Sequence, residues 1–303
     1  MSGMLDVIIV GGSYAGLAAA IQLGRARRSV LIVDAAQRRN HTAHSAHGFL
    51  GQDGLAPAAI ADKGRTEALA YPTVRYREAS VTRVQQIPGG FSVEVAGESL
   101  GAKRLILATG VVDELPKIPG VRERWGRSVF HCPYCHGYEL QRGRVGIVAT
   151  TPLSAHLAML ASEWGAPGQS MFFLNGAFEP DAEQLAEFAA RQISIEREPI
   201  AAIEGELPEV LVRLQSGRVE RFVGLFLGSS TRLALPFAEQ LGCELEAGPV
   251  GSFYKTDPMK ETNVPGVFAC GDAGLPMGSL AFAVADGVRA GVAAHQSLVF
   301  RRE

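Results

Sequence analysis

The sequence predicts an α/β protein with two Rossmann-like three-layer nucleotide-binding domains, the second inserted into the first. Apolar, β-branched runs such as Leu5–Val10 end at glycine-rich turns, which is typical of buried parallel strands. The order strand, helix, strand begins again at Val145, and the 303 residues suffice for two domains of ordinary size. We therefore expect residues 1–114 and 229–303 to form the first domain and residues 115–228 to form the second.

The first domain opens on a complete β-α-β unit, for which a right-handed crossover is expected. Its strands cover residues 5–10 and 29–33, and its helix covers residues 17–27. Gly89-Gly90 marks a hairpin farther along the chain. The other predictions for this part are a polar loop (35–54), a helix (57–71), the hairpin strands (74–86 and 90–95) and a buried strand (105–108).

The second domain begins after a proline-containing stretch, residues 115–120, which predicts an extended linker. Its β-α-β unit has strands at 145–148 and 171–174 around a helix at 152–164. The remaining predictions are a helix (181–191), a hairpin (210–215 with 218–222), a strand (225–227), a return linker (228–236), a strand with its turn (267–272) and a helix of small residues (280–301).

Charge and hydropathy exclude several classes of protein. The 29 basic and 31 acidic residues give a net charge of -2, which argues against nucleic acid or an anionic membrane as the main partner. No apolar run approaches the roughly 18 residues that span a bilayer. Leu5–Val10 is short and contains Asp6, unlike a secretory signal, so we expect a cytoplasmic protein.

A glycine-rich turn lies between the first strand and the first helix, where a dinucleotide fingerprint belongs. The helix N-terminus would supply N–H groups and a positive dipole end for phosphates. Asp34, followed by Ala35, ends the next strand, where a carboxylate can accept hydrogen bonds from a ribose diol. The turn consists of Gly11, Gly12, Ser13, Tyr14, Ala15 and Gly16, so Ser13 replaces the middle glycine of the fingerprint.

Two later segments belong with the same half of the chain. Ala108, Thr109 and Gly110 end one strand, and Gly271 and Asp272 follow another. Because strand ends of a doubly wound sheet converge on the ligand, these residues should lie beside the same cofactor.

The chain resembles the low-molecular-weight thioredoxin-reductase-like flavoproteins across almost its whole length. The resemblance implies bound FAD, with the glycine turn and Asp34 at its adenosine end and Asp272 at its ribityl group. It further implies that Ser279 and Leu280 face the isoalloxazine and that Val81 meets adenine through its backbone; Asn40 is a looser assignment. A homodimer is also implied. The matching motifs are Gly11–Gly16 with Asp34, Leu107–Gly110, Cys132-x-x-Cys135 and Pro265–Asp272.

The pair Cys132-x-x-Cys135 indicates redox chemistry or half of a metal site. A zinc site would need a second pair at matching spacing, so no metal is predicted. The resemblance implies that Cys135 passes electrons to the flavin and that Cys132 exchanges with the substrate. His136 stands where thioredoxin reductases carry an acid–base Asp, and an imidazole can take and return a proton near neutral pH.

The turn of the second β-α-β unit departs from a nucleotide-binding turn. Its three fingerprint glycine positions hold Ala149, Thr151 and Ser154. Residues 175–179 after the next strand contain no cation for a 2′-phosphate and no acid at the strand end for a ribose. We therefore predict a degenerate site that binds no nicotinamide, so that electrons enter through thiols.

This combination resembles the FAD-dependent dithiol oxidases of the gliotoxin and holomycin type. The function that follows is oxidation of a dithiol, on a small molecule or a thiol protein, to a disulfide, with O₂ as acceptor and H₂O₂ as product. One alternative is a thioredoxin-reductase-like disulfide reductase fed by NADPH or another donor. Another is a flavin and thiol redox sensor that does not turn over.

The polar loop after Asp34 carries three histidines and two adjacent arginines. We expect the loop to lie near the flavin, with His47 touching cofactor or substrate, whereas Arg38-Arg39 could meet the pyrophosphate. We also expect the inserted domain to keep one orientation, with the disulfide on the flavin.

Overall fold

A computed structural model describes residues 4–301; residues 1–3 and 302–303 of the predicted domain ranges lie outside it. The strands are β1 (Leu5–Val10), β2 (Val30–Asp34), β3 (Val74–Glu78), β4 (Val81–Ile87), β5 (Gly90–Val95), β6 (Glu98–Leu107), β7 (Val111–Glu114), β8 (Val129–Phe130), β9 (Val145–Val148), β10 (Ser170–Phe173), β11 (Ile193–Glu196), β12 (Ile200–Glu206), β13 (Glu209–Leu214), β14 (Val219–Phe222), β15 (Gly224–Leu227), β16 (Ser230–Leu233), β17 (Leu245–Ala247), β18 (Ser252–Tyr254) and β19 (Val267–Ala269). The helices are α1 (Tyr14–Arg25), α2 (Pro57–Leu69), α3 (Val121–Arg124), α4 (Pro133–His136), α5 (Ser154–Ser162), α6 (Ala182–Ala190), α7 (Phe237–Leu241) and α8 (Leu280–Phe300), with 3₁₀ turns at Tyr138–Leu140 and Gly271–Gly274.

The first sheet has seven strands in the order β3-β2-β1-β6-β5-β4, and β19 also pairs with β6. The strands around β1 are parallel, whereas β4, β5 and β6 form an antiparallel meander. Because side chains alternate along a strand, Ile8 and Val10 enter the core on one face while Val7 and Ile9 enter the core on the other. Helices α1 and α8 cover the second face, and both faces are therefore buried.

The second sheet has five parallel strands in the order β11-β10-β9-β15-β8. Helices α5 and α6 supply one core layer, and the antiparallel sheet β12-β13-β14 supplies the other. Strands of the first sheet come both before and after this unit in the chain. The predicted fold class, an α/β protein with two Rossmann-like three-layer domains, the second inserted into the first, is confirmed.

The two connections between the sheets pair with each other. Strand β7 leads out of the first sheet and runs antiparallel to β16, which leads back. The stretch predicted as a return linker, residues 228–236, is therefore partly a strand. Its short exposed run carries no apolar alternation that would have predicted pairing.

The prediction of one strand over residues 74–86 is wrong. Strand β3 pairs with β2, and β4 lies at the opposite end of the sheet order. The break falls at Ala79-Ser80, where the Ala79 N–H donates to the Asp34 carbonyl at 2.9 Å. The apolar positions change phase at the break, from Val74 and Tyr76 to Ala79 and Val81, and the prediction did not use this signal.

Smaller differences concern element bounds. Helix α1 begins at Tyr14, three residues before the predicted start at 17. The predicted hairpin over 210–222 is part of a three-stranded sheet whose first strand, β12, was not predicted. Helix α7 and the hairpin β17-β18 were also missed. Within residues 4–301, no helix has both the length and the apolar character needed to cross a membrane.

Candidate active site

A cavity of about 540 Å³ lies where the carboxyl ends of β1, β2, β6 and β19 meet the segment that carries the cysteine pair. Both the first sheet and the inserted unit contribute to its wall, so the predicted cofactor and catalytic residues come together. Among the predicted residues, Gly12 and Gly16 do not line it. Those that do are Gly11, Ser13, Tyr14, Ala15, Asp34, Ala35, Asn40, Val81, Ala108, Thr109, Gly110, Gly271, Asp272, Ser279, Leu280, Cys132, Cys135 and His136.

The glycine turn is closely packed. Gly11 has φ +104°, and a Cβ there would lie 2.1 Å from the Ala108 carbonyl oxygen. A Cβ on Gly16 would lie 1.9 Å from the Gly11 carbonyl oxygen, so any side chain would push α1 away from the strand. Gly12 faces Asp34 and Tyr76. Gly12 and Gly16 thus support the cavity without lining it.

Unpartnered polar groups face this cavity at the start of α1. Ser13 is the N-cap residue but makes no capping hydrogen bond through its side chain. The Thr109 hydroxyl oxygen is buried and has no hydrogen-bond partner among the described residues. Helix N-termini bind phosphate groups well because their first N–H groups are unpaired. The donor set and the close turn therefore fit the pyrophosphate of FAD.

A tyrosine that the sequence pattern did not single out contacts the predicted ribose carboxylate. The Tyr76 hydroxyl donates to Asp34 Oδ2 at 2.7 Å. Burial and this carboxylate together raise the pKa of Tyr76 to about 12, so the hydroxyl stays a donor. This contact could be predicted only from the pairing of β2 with β3, which are parallel neighbours in the sheet.

The start of α8 borders the cavity beside the Gly271–Gly274 turn. The Ser279 hydroxyl accepts the Phe282 N–H at 3.1 Å, which caps the helix with Leu280 as its first residue. Behind the turn, the ammonium of Lys260 donates to the Gly274 carbonyl at 2.9 Å and lies 2.9 Å from the Asp286 carboxylate. This buried ion pair ties the turn to α8.

Cys132 and Cys135 form a disulfide at the edge of the cavity. Cys132 is the N-cap of the four-residue helix α4, and Pro133 occupies its first position, which suits the fixed φ of proline. The Tyr134 ring on the outer side packs edge-on against Trp164, with ring centroids 5.0 Å apart. The inserted unit therefore holds the disulfide by backbone and aromatic packing.

His136 lies between two cavities. Its ring stacks on Phe130 with centroids 4.4 Å apart, and neither ring nitrogen has a hydrogen-bond partner among the described residues. Burial lowers the pKa of His136 to about 4, so the imidazole is neutral at pH 7. A second cavity of about 300 Å³ lies on its other side and is bordered by Glu139 and Leu207 as well.

The loop after β2 reaches the inserted unit. Arg39 forms ion pairs with Asp113 and Asp272, so this cation is already engaged by carboxylates. His47 borders both cavities and lies 3.3 Å from the Glu139 carboxylate. Across residues 4–301, no group of three or more His, Cys, Asp or Glu side chains is arranged to hold a metal ion.

The turn of the second β-α-β unit differs from the first in where its N–H groups point. The backbone N–H groups of Thr150 and Thr151 both donate to Ser154 Oγ, at 3.0 and 3.3 Å. The Thr150 hydroxyl donates to the Gly228 carbonyl at 2.5 Å. These groups are bonded within the protein, and Ser154 is nearly fully buried.

The strand end beyond this turn is also engaged internally. Asn175 Oδ1 accepts the Ile200 N–H at 2.9 Å. Arg197, a cation that the sequence reasoning missed, lies 3.5 Å from the Glu179 carboxylate. Arg197 follows β11, and only the packing of neighbouring strands brings it to this edge.

Comparison with known proteins identifies relatives along nearly the whole chain. The family model described as pyridine nucleotide-disulphide oxidoreductase matches residues 5–287. Thioredoxin reductase sirT of Leptosphaeria maculans is 33% identical, covering 95% of this chain and 92% of that protein. Thioredoxin reductase tcpT of Claviceps purpurea is 31% identical, covering 98% and 95%.

Solved structures give the same result. An oxidoreductase from Agrobacterium tumefaciens is 50% identical with a TM-score of 0.94, covering 99% of this chain and 100% of that one. The structure of HlmI is 32% identical with a TM-score of 0.91, covering 99% of this chain and 94% of that one.

Proposed function

The chain belongs to the pyridine nucleotide-disulphide oxidoreductase family, whose thioredoxin-reductase-like flavoproteins bind FAD, and from that premise we propose that it oxidises a dithiol to a disulfide. The proposed acceptor is O₂, which leaves as H₂O₂, and NADPH is not used. The observation that carries the proposal is the Ser154 hydroxyl, which occupies the N–H groups that a nicotinamide dinucleotide would need.

The second turn supports this proposal sterically and electrostatically. A pyrophosphate at this turn would have to displace a buried hydroxyl, and breaking these bonds would leave that hydroxyl only its 3.5 Å contact with the Thr150 hydroxyl. At the strand end, the charge of Arg197 is partly balanced by the Glu179 carboxylate, which lies 3.5 Å away. In contrast, Ser13 in the first turn makes no capping bond through its side chain, and the Thr109 hydroxyl after β6 has no partner among the described residues. Both observations suit the binding of an anionic cofactor at the first turn.

The proposed chemistry begins at the disulfide. One substrate thiolate attacks Cys132 Sγ, the Cys132–Cys135 bond breaks, and Cys135 leaves as a thiolate. The second substrate thiolate then attacks the mixed disulfide, which releases the oxidised substrate and leaves both cysteines reduced. Held beside the cysteine pair by the Gly11–Gly16 turn and Asp272, FAD would supply a two-electron acceptor, so that the Cys132–Cys135 bond re-forms while two electrons and two protons pass to O₂. The sum is a dithiol plus O₂ giving a disulfide plus H₂O₂.

His136 is the proposed proton acceptor beside the cysteine pair. Its unpartnered nitrogens leave one lone pair and one N–H available at neutral pH. A thiolate forming next to the ring would favour the charged imidazolium, since opposite charges stabilise each other in a buried site. The imidazole can therefore take the proton of a substrate or cysteine thiol and later return it.

The second candidate function is disulfide reduction, which the names of the relatives sirT and tcpT, both called thioredoxin reductase, favour. It requires a reductant other than the substrate thiol. An anaerobic titration of the FAD-loaded protein separates the two functions. We expect two equivalents of dithiothreitol, one for the disulfide and one for the flavin, to bleach the flavin absorbance and micromolar NADPH to leave it unchanged. On admission of air with excess dithiol, H₂O₂ should accumulate over many turnovers.

The matched control is Cys135→Ser, which should retain FAD but lose bleaching by the dithiol. Rapid bleaching of the unsubstituted protein by NADPH would favour the reductase. Oxidation that stops after two equivalents, without continued H₂O₂ production, would favour a redox sensor. A homodimer is also proposed, and light scattering of the FAD-loaded protein tests it.

A further inference from the structure

One guanidinium joins the cofactor side of the cavity to the connection between the two sheets. Arg39 Nε and Nη2 donate to the two carboxylate oxygens of Asp113 at 2.9 and 2.6 Å. Its remaining arm, Nη1, donates to Asp272 Oδ2 at 2.9 Å. The paired contact with Asp113 is the bidentate geometry in which arginine binds a carboxylate most strongly. Asp113 lies on β7, and Asp272 lies in the turn before α8.

The network continues toward the cysteine pair. Ser229, which directly precedes β16, donates its hydroxyl hydrogen to Asp113 Oδ1 at 2.9 Å. Ser229 Oγ itself lies 3.5 Å from His131 Nδ1. Because the serine hydrogen is already used, this longer contact requires Nδ1 of His131 to be the donor. His131 directly precedes Cys132, so the network ends at the disulfide segment.

Burial makes this network stronger than an ordinary surface ion pair. The Asp113 side chain is only 9% exposed and Ser229 only 2%, so solvent screens the charges weakly. Burial alone would raise the pKa of Asp113, but the Arg39 guanidinium outweighs it and holds that pKa below its usual value. Both groups are therefore charged at neutral pH.

The same loop packs directly against the inserted unit. Gly126 has φ +75°, and a Cβ there would lie 2.3 Å from the hydroxyl oxygen of Thr42. Apart from such contacts, the sheets are joined by the two-stranded ladder β7-β16. A two-stranded ribbon is only marginally stable by itself, so the side-chain contacts around it contribute to the angle between the two sheets.

We propose that Arg39 and Asp113 are positioning residues that hold the inserted unit at the angle which keeps the disulfide against the cofactor cavity. The inference rests on the proposed function, in which the cysteine pair must deliver its electrons at that cavity. Arg39 binds Asp113 on the outgoing strand β7, and Asp113 accepts a hydrogen bond from Ser229 beside the returning strand β16. Asp272 connects this network to the Gly271–Gly274 turn. Without the Arg39–Asp113 ion pair, the segment that carries Cys132 and Cys135 becomes more exposed to solvent.

The test measures how fast the reduced cysteines are alkylated. The FAD-loaded protein is reduced under argon with excess phosphine until the flavin absorbance is constant, so that the cysteines stay reduced, and the phosphine is then removed by gel filtration. The protein is treated briefly with N-ethylmaleimide and quenched, and the peptide with Cys132 and Cys135 is quantified by mass spectrometry. We expect Asp113→Asn to raise the alkylation rate roughly tenfold, because a buried carboxylate with charged hydrogen bonds is lost. Asp113→Glu, which keeps the carboxylate, should restore part of the protection.

A double-mutant cycle tests whether the effects of Arg39 and Asp113 on the alkylation rate are coupled or independent. Arg39→Gln combined with Asp113→Asn should give no faster alkylation than the stronger single change. The matched control is Arg77→Gln, which removes the exposed Arg77–Glu98 pair on the first sheet and should leave the rate unchanged. Flavin absorbance gives the FAD content, so that only loaded protein is compared.

Two results would overturn the proposal. One is a rate for Asp113→Asn within twofold of the unsubstituted protein at equal FAD content, and the other is a double variant whose effect is the product of the single ones. If Asp113→Asn does not fold, Arg39→Lys carries the same test, since lysine keeps the charge but loses the fork. No dithiol substrate and no NADPH enter the assay, so failure of the proposed function leaves its outcome unchanged.

Discussion

The two β-α-β turns of this protein share a topology but treat their backbone N–H groups in opposite ways. In the first turn, Ser13 makes no capping bond and the Thr109 hydroxyl is unpartnered beside a large cavity. In the second turn, Ser154 takes the N–H groups of Thr150 and Thr151. Under the proposed function, the first turn holds the cofactor and the second turn does not, and the Ser154 hydroxyl is one of the differences between them, beside Ala149 and Thr151 at lost glycine positions.

The strongest test of this comparison exchanges the first glycine position of each turn. Gly11→Ala should lower FAD affinity roughly hundredfold or more, because the new methyl group would clash with the Ala108 carbonyl at a strained φ. The matched change Ala149→Gly in the second turn should leave the FAD content unaltered. The measurement is flavin absorbance per chain after gel filtration. Equal FAD retention by both variants would contradict the assignment of the first turn.

A second test uses the acid sensitivity of the unpartnered imidazole. The pKa of His136 is about 4 in the folded protein, below the ordinary value near 6.5 in the unfolded chain. The unfolded state therefore binds the proton first, and folding stability falls as the pH drops from 6.5 to 4. We expect His136→Gln to abolish about 2 kcal/mol of that loss.

Urea unfolding at pH 7 and at pH 4.5 measures this difference for the FAD-loaded protein. His156→Gln, which replaces an exposed imidazole on α5, is the control. The interpretation of His136 is wrong if both variants follow the same pH dependence as the unsubstituted protein.

The smallest expected effect concerns the second turn itself. Ser154→Ala should reduce the free energy of unfolding by about 1–2 kcal/mol, because the N–H groups of Thr150 and Thr151 lose their acceptor. Thr151→Ala removes an exposed side chain from the same turn and should change stability by less than about 0.5 kcal/mol. Denaturant titration measures both, and equal values would mean that the Ser154 hydroxyl does not stabilise the turn.

Much of the candidate site could be predicted from the sequence. The glycine turn, Asp34, the cysteine pair and the altered second turn all belong to short motifs beside predicted strands, and the structure brings the first three to one cavity. The role of Ser154 was partly readable, since the residue stood at a lost glycine position. Its hydrogen bonds were not, because they depend on the path of the turn.

Contacts between distant segments could not be read from local patterns. From its place in the loop Arg39 could have met a pyrophosphate or been solvated, yet its partners are Asp113 and Asp272, 74 and 233 residues away. Tyr76 reaches Asp34 only because two strands are parallel neighbours in one register.

The sequence by itself determined the two β-α-β units with their turns, the insertion of the second unit into the first and the presence of a closely spaced cysteine pair. Apolar periodicity and turn glycines encode these features within a few residues. Only the tertiary structure decided that β7 pairs with β16, that His136 borders two cavities and that one guanidinium joins the Gly271–Gly274 turn to the connection between the sheets. Such features depend on strand register and on the angle between two packed units, and neither quantity is a property of any short stretch of chain.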